Sequence, residues 1–205
     1  EKDAFSLAGC PQLGLFAGAA NGRRDGAGLA RRVAVWDRAL TAAEMAAESG
    51  CAPAKHAPKP CARQLTRRLT YKDVRMSSIL SGYRPGTRWG QGRLDARYSW
   101  IAAYNRRGEW MQLDSGAVQT IAGVVTQGRG DGWWWTTSFS VKVSDDGKAW
   151  RDVECGRKFR GNTDHTSKVE TLFDPAVRAR YVRIYPQTFR GYPSMRAGLV
   201  TCEVG

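Results

Sequence analysis

Apolar and polar side chains alternate from Trp110 to Asp114 and again from Phe139 to Val143, the two-residue period of a strand with one buried face. Between them, Ile121 to Thr126 is apolar on both faces apart from Gly123, which predicts a strand deep in a sandwich. Three strands are therefore expected, arranged around the loop from Gly128 to Trp135. That loop is glycine-rich and ends in three consecutive tryptophans, Trp133, Trp134 and Trp135. Neighbouring strand residues point to opposite sides, so three adjacent rings cannot share one core. One is expected to plug the end of the sandwich and another to meet solvent or a ligand.

The pattern continues on both sides. Residues 145–148, Asp-Asp-Gly-Lys, give a hairpin signal followed by Trp150. In Tyr181 to Tyr185, Val182 and Ile184 share a face, and Pro186 is expected to end the pairing or to sit at an edge. Leu199 to Val204 is the last strand candidate. Residues 77–95 are turn-rich, with aromatic and arginine residues interleaved. Nearer the start, Leu13 to Gly18 reads as a short strand and Val33 to Trp36 as another. A short helix follows to about Ser49: Thr41 and Glu44 form a capping box, Leu40 and Met45 a staple, and Gly50 the stop. Cys51 to Cys61 holds three prolines and two lysines and nothing apolar larger than alanine, so it reads as an extended linker. The expected organisation is a segment over 1–50, a proline-rich linker over 51–60 and one domain over 61–205.

Composition sharpens this picture. With 23 glycines and 8 tryptophans but almost no helical periodicity beyond residue 60, an all-β fold with many turns is expected. No run of 18 apolar residues offers a membrane span, and Glu1 reads as a processed or excised start. The formal charge of +13 is uneven: residues 1–61 hold 8 Lys and Arg against 6 Asp and Glu, whereas 62–205 hold 24 against 13. Such a field favours acidic partners. The five cysteines, Cys10, Cys51, Cys61, Cys155 and Cys202, lack C-x-x-C pairing and nearby histidines, which argues for disulfides over zinc and for an oxidising compartment. Four can form two bridges, with the fifth free or paired elsewhere.

Residues 33–45, Val-Ala-Val-Trp-Asp-Arg-Ala-Leu-Thr-Ala-Ala-Glu-Met, resemble the C-terminal end of a laminin-G-like or pentraxin-like concanavalin-type jelly roll. On that resemblance the chain begins inside a fold, because a sandwich of this kind needs about 100 residues. Six later pieces, in order, resemble a discoidin domain, the coagulation factor V/VIII type C domain. They are Trp110–Gly116, Ile121–Asp131, Thr137–Trp150, Phe159–Asp164, Phe173–Pro186 and Met195–Cys202. The resemblance implies a jelly-roll β-sandwich or distorted barrel that binds through loops at one end. It also implies a bridge between Cys61 and Cys202, leaving Cys10 with Cys51 and Cys155 odd. The chain departs from the family pattern at Ser115, Gly198 and Thr201.

By the same resemblance, Tyr83, Arg84, Arg88 and Trp89 in a first loop, Arg129 and Trp133 to Trp135 in a second, and Arg160, Asn162 and His165 in a third are the expected ligand-binding residues. Arginine offers paired donors to carboxylate, sulfate or phosphate. A glycan binder needs aromatic faces beside hydrogen-bonding groups, which Trp89, Arg88, Asn162 and Asp164 supply. A binder of anionic lipid headgroups needs apolar spikes with basic residues, which Trp133 to Trp135 and the basic field supply. A protein-interaction module in a larger extracellular assembly would use the same patch against another subunit. Arg129-Gly130-Asp131 spells an integrin-type tripeptide, but the resemblance supplies it as a structural turn. A structural calcium near the sandwich end would draw on Asp131 or Asp164, though no oxygen-ligand spacing compels one; no other cofactor is expected. No nucleophile, phosphate-loop or metal motif surrounds His56 or His165, so catalysis is not expected. Nucleic acid is excluded because the aromatics gather on one loop rather than along a basic groove. The expectation is a non-catalytic, extracellular or cell-surface recognition and adhesion module within a larger multidomain chain.

Overall fold

The computed structural model describes residue 61, residues 64–67 and residues 69–202, all within one compact unit, His56–Gly205. The expected N-terminal strands and helix, the laminin-G-like segment, the Cys10–Cys51 bridge and the linker lie outside the described residues. Among the described residues nine strands follow in order: β1 (Gln64–Arg67), β2 (Val74–Met76), β3 (Trp100–Ile101), β4 (Met111–Gln127), β5 (Trp135–Ser144), β6 (Arg151–Asp152), β7 (Phe159–Arg160), β8 (Val169–Arg190) and β9 (Ser194–Cys202). Every strand pairing is antiparallel. No helix among the described residues is long and apolar enough to cross a membrane.

Two long strands make the sandwich. Residues 111–114 of β4 lie between β2 and the 181–184 part of β8, whereas residues 121–127 lie between β9 and the earlier part of β8. The register breaks between Asp114 and Gln119, where an extra stretch bends the strand. Gly116 takes φ +83° there, and its N–H donates to Asp114 Oδ1 at 2.7 Å. Ser115 is buried and donates its hydroxyl to Ala117 O at 2.6 Å, which explains a polar residue at a position expected to be apolar. One layer is thus β2–β4–β8–β5, with β6 and β7 on β5, and the other is β1–β9–β4–β8. Leu113, Val141, Val182 and Ile184 from the first layer meet Ile121, Val124, Ala197 and Leu199 from the second in one buried core.

Three expectations change in detail. The strands expected at 110–114 and 121–126 are the two halves of β4 rather than separate strands, the second buried on both faces as its composition implies. Pro186 does not end the pairing: it lies opposite Phe139 of β5 and β8 continues to Arg190. The pairing with β4 has already stopped at Ile184, so the missing N–H faces the unpaired side. The last strand starts at Ser194, five residues before Leu199, and is buried from end to end except at Cys202. A disulfide joins Cys61 to Cys202, with the Cα atoms 5.1 Å apart. Beside it, Gly198 leaves room that the Leu94 side chain fills, packing with Ala122, Val125 and Val200.

Candidate functional site at the loop end

The loop that follows β4 and the loops that run before β3 and β8 converge on one buried guanidinium. Arg196 stands in an otherwise apolar or small-residue stretch of β9 and is 5% exposed. Its Nε donates to Gly128 O at 2.8 Å, Nη1 to Ala96 O at 2.9 Å and Nη2 to His165 O at 3.1 Å. Three loops are tied by one planar fork, which no ammonium can reproduce. Burial lowers the affinity of Arg196 for its proton, and the fields of Asp95 and Asp131 oppose that shift. Gln127 adds a second tie: Asp95 N–H donates to its Oε1 at 2.9 Å, and its Nε2 donates to Thr166 O at 3.0 Å.

On this base the first loop builds an aromatic cage around a cation. Tyr83 and Trp89 meet edge to face at 5.2 Å, and the Arg88 guanidinium lies 4.9 Å from Trp89, 5.8 Å from Tyr98 and 6.0 Å from Tyr83. Arg88 takes φ +34°, and the turn closes through Gly90 N–H to Thr87 O at 2.7 Å. In the second loop, the Arg129 guanidinium holds Asp131 through contacts of 2.7 and 3.2 Å, so the Arg-Gly-Asp tripeptide is closed on itself. Gly130 is packed against the Ala96 and Arg97 carbonyls, where a side chain would collide. The two loops therefore touch through residues 96–97.

The three tryptophans have three different environments. Trp135 is buried beneath Arg190, which lies 4.9 Å over its ring. Trp134 stacks on Tyr192 at 5.1 Å and carries Arg129 at 4.8 Å on its ring; Gly191, at φ +75°, has no room for a β-carbon against that indole. Trp133 is 68% exposed and rests on His165 at 4.7 Å.

The third loop holds its own shape. Asp164 Oδ1 accepts the N–H groups of Thr166 at 2.7 Å and Ser167 at 2.6 Å. Hydrogen bonds from Ser167, then from Thr166, hold the carboxyl down to about 2. A depressed folded-state value stabilises the loop above the ordinary carboxylate range, and that contribution disappears as the pH falls from about 4 towards 2. An NMR titration of the Asp164 carboxyl is expected to show its midpoint near 2, with the Thr166 and Ser167 amide signals moving in the same step; a midpoint near 3.8 would contradict this bonding.

Asn162 is buried and donates its amide to Thr126 O and Ser167 O, so it shapes the loop rather than lining its surface. Arg84 and Arg160 are exposed, but no contact among the described residues joins their side chains to the aromatic clusters. Asp131 is engaged by Arg129 and Asp164 by turn amides, and no group of three or more His, Cys, Asp or Glu among the described residues is placed to hold a metal ion. The residues that the pattern alone did not single out are Tyr98, Arg190, Tyr192, Gln127 and Arg196. Arg97-Tyr98 and Arg190-Gly-Tyr192 repeat the arginine–aromatic interleaving of Arg88-Trp89, and Arg196 is the lone charge in a strand with no other charged residue.

Comparison with known proteins bears on the same region. Lactadherin of Rattus norvegicus is 32% identical over 146 residues, which make up 68% of this chain and 33% of lactadherin; the chain spans about a third of that relative's length. The structure of discoidin II from Dictyostelium discoideum superposes with a TM-score of 0.55 at 24% identity, covering 70% of this chain and 60% of the other. The family 32 CBM of C. perfringens NanJ, in complex with galactose, gives a TM-score of 0.53 at 11% identity, covering 67% and 99%. Residues 77–199, more than half of the chain and the whole run from the first loop to β9, match the F5/8 type C domain, and the chain belongs to that family.

Proposed function

We propose that this chain is a non-catalytic extracellular recognition module that binds glycans through the loop end of its sandwich. The observation that carries the reading is Trp133: a ring 68% exposed on a loop anchored by Arg196, beside guanidinium groups already fixed on aromatic faces. An exposed indole suits the apolar face of a sugar ring, and the arginines suit its hydroxyl or acidic substituents. The same fold holds galactose in the NanJ CBM, a precedent for the fold and not for these side chains. Insertion into a bilayer is the second reading, and the geometry weakens it. Trp135 is buried beneath Arg190 and Trp134 is half-buried against Tyr192 and Arg129, so of the three rings only Trp133 is free to insert, where stable anchoring calls for more. The Cys61–Cys202 bridge supports an oxidising, extracellular setting, and the partial coverage of lactadherin supports a place in a longer, multidomain chain.

The test is a glycan array run beside phosphatidylserine liposomes, on the wild type and on Trp133→Ala. The wild type is expected to bind glycans, and the variant to lose at least tenfold in affinity, about 1.4 kcal/mol or more. Its melting temperature should stay within about 2 °C, because an exposed ring contributes little to the core. Full binding by the variant would remove the loop end from the reading, and binding to liposomes alone would replace the glycan with a membrane.

A further inference from the structure

The outer face of the first layer carries a second cluster of cations, away from the loops. Strand register puts Arg75 of β2, Gln112 of β4, Arg183 of β8 and Lys142 of β5 in one row. Their chain neighbours Val74, Leu113, Val182 and Val143 are buried, so by the two-residue period the row faces outward. A groove of about 420 Å³ opens over part of this row, walled by Lys72, Arg75, Trp110, Lys148, Tyr181 and Arg183 among others. That volume falls in the range of about 300–1,000 Å³ usual for small-ligand sites.

Arg183 is the built element of the groove. Its guanidinium is clamped between two indoles, 4.1 Å from Trp110 and 3.9 Å from Trp150, and its Nε donates to Gln112 Oε1 at 3.0 Å. Trp150 is itself held by a bond from its Nε1 to Gly147 O at 3.2 Å. Both faces of the guanidinium are covered and one edge is committed. Its terminal amino groups have no acceptor among the described residues, and they are the pair that recognises a carboxylate or sulfate side-on.

The acids in the groove are already engaged. Asp73 accepts from the N–H and hydroxyl of Thr70, and Asp114 takes a two-pronged contact from Arg180 at 2.9 and 3.0 Å. Asp146 accepts the Lys148 and Ala149 N–H groups and the Ser144 hydroxyl. Lys72, Arg75, Lys148 and Arg183 are therefore left without a carboxylate partner among the described residues. Among the described residues, the large hydrophobic side chains that are exposed, Tyr83, Tyr104, Val118, Trp133 and Leu172, all lie outside the groove's lining, so no apolar spike offers itself to a bilayer there. A hydrophilic trough with spaced cations and one pre-oriented guanidinium suits an extended, hydrated polyanion.

We propose that this groove is a second binding site, separate from the loop end, for an acidic oligosaccharide whose carboxylate or sulfate groups meet Arg183 and are flanked by Lys72, Arg75 and Lys148. Calorimetry at two salt concentrations, with a sulfated glycosaminoglycan hexasaccharide, a polygalacturonate oligosaccharide and a polyglutamate peptide of equal charge as probes, tests it on the full chain. The triple variant Lys72→Gln, Arg75→Gln, Lys148→Gln alters only rim side chains and should fold normally. It is expected to lose at least tenfold in affinity for one or both saccharides and to show a shallower salt dependence. Arg183→Lys keeps the charge and loses the planar fork, and a loss of fivefold or more there assigns the recognition to the guanidinium. Trp133→Ala removes the loop-end platform, so the triple variant is also made in that background, where the same tenfold loss separates the groove from the loop end whatever the fate of the glycan reading above. Saccharide affinity unaltered in the triple variant, no further loss when its three substitutions are added to Trp133→Ala, or polyglutamate binding as tightly as both saccharides would each overturn the proposal, the last in favour of an acidic peptide.

Discussion

Replacing Arg196 with methionine is expected to lower stability by about 3 kcal/mol and to abolish binding at the loop end even where the sandwich remains folded. Methionine approximates the volume of the arginine stem but leaves the carbonyls of Gly128, Ala96 and His165 without their donors. Hydrogen bonds to a charged donor contribute roughly 1.5–3 kcal/mol each, yet the sum is not the expected loss. Burying the guanidinium is itself unfavourable, as its lowered proton affinity records, and methionine removes that opposing cost. The remainder corresponds to about 10 °C in melting temperature for a domain of this size. Binding is affected separately, because His165 supports Trp133 and the Ala96 carbonyl lies beside Gly130. Arg196→Lys should recover part of the stability and little of the loop geometry, since one ammonium cannot reach three carbonyls from three directions. Denaturant titration alongside a ligand-binding isotherm checks both; a methionine variant melting within 2 °C of the wild type would mean that the fork holds nothing together.

Arg196 also marks the boundary of what the sequence makes legible. Alternation revealed the first half of β4 and the body of β5, because a side chain's position in a strand determines its face whatever the fold, and a run apolar on both faces revealed the second half of β4. Alternation also showed that three adjacent rings could not share one core, although deciding which ring is open required the neighbours Tyr192, Arg129 and His165. Where two strands merge through a bulge, as at residues 115–118, the pattern showed only an interruption. The bend is decided by pairing with β8, which is remote in sequence. Pro186 illustrates the same limit. Its missing N–H restricts pairing on one side only, and which side that is depends on where β4 ends. The arginines interleaved with aromatics could be read as a composition, but Arg196 and Gln127 act through backbone carbonyls and amides of distant loops, and no side-chain pattern announces such partners. The groove was hidden for a related reason: Trp110, Trp150 and Arg183 are far apart in the chain and meet only through the β4–β8–β5 register.

Removing the Cys61–Cys202 bridge is expected to cost about 4 kcal/mol while leaving loop-end binding intact. The two cysteines are 141 residues apart, and releasing a loop of that length from the unfolded chain corresponds to roughly 5 kcal/mol of restored entropy, with measured losses usually about 2–5. The folded state also has something to lose. Cys61 and Cys202 pack against Ala122, Val125, Val200 and Leu94, and β1 is held on the sheet by β9 alone, over four paired positions from Gln64–Cys202 to Arg67–Leu199. An edge strand of that length is marginal without a covalent tie. The bridge nevertheless lies six residues along β9 from Arg196, about 20 Å at strand spacing. A Cys61→Ala, Cys202→Ala variant should therefore unfold at much lower urea yet, at 15 °C and without denaturant, bind as the wild type does. Arg196→Met should do the reverse in proportion, losing binding more than stability. A disulfide variant that kept its stability, or one that stayed folded but lost its ligand, would contradict this division of the sandwich into a covalently closed base and a hydrogen-bonded binding end.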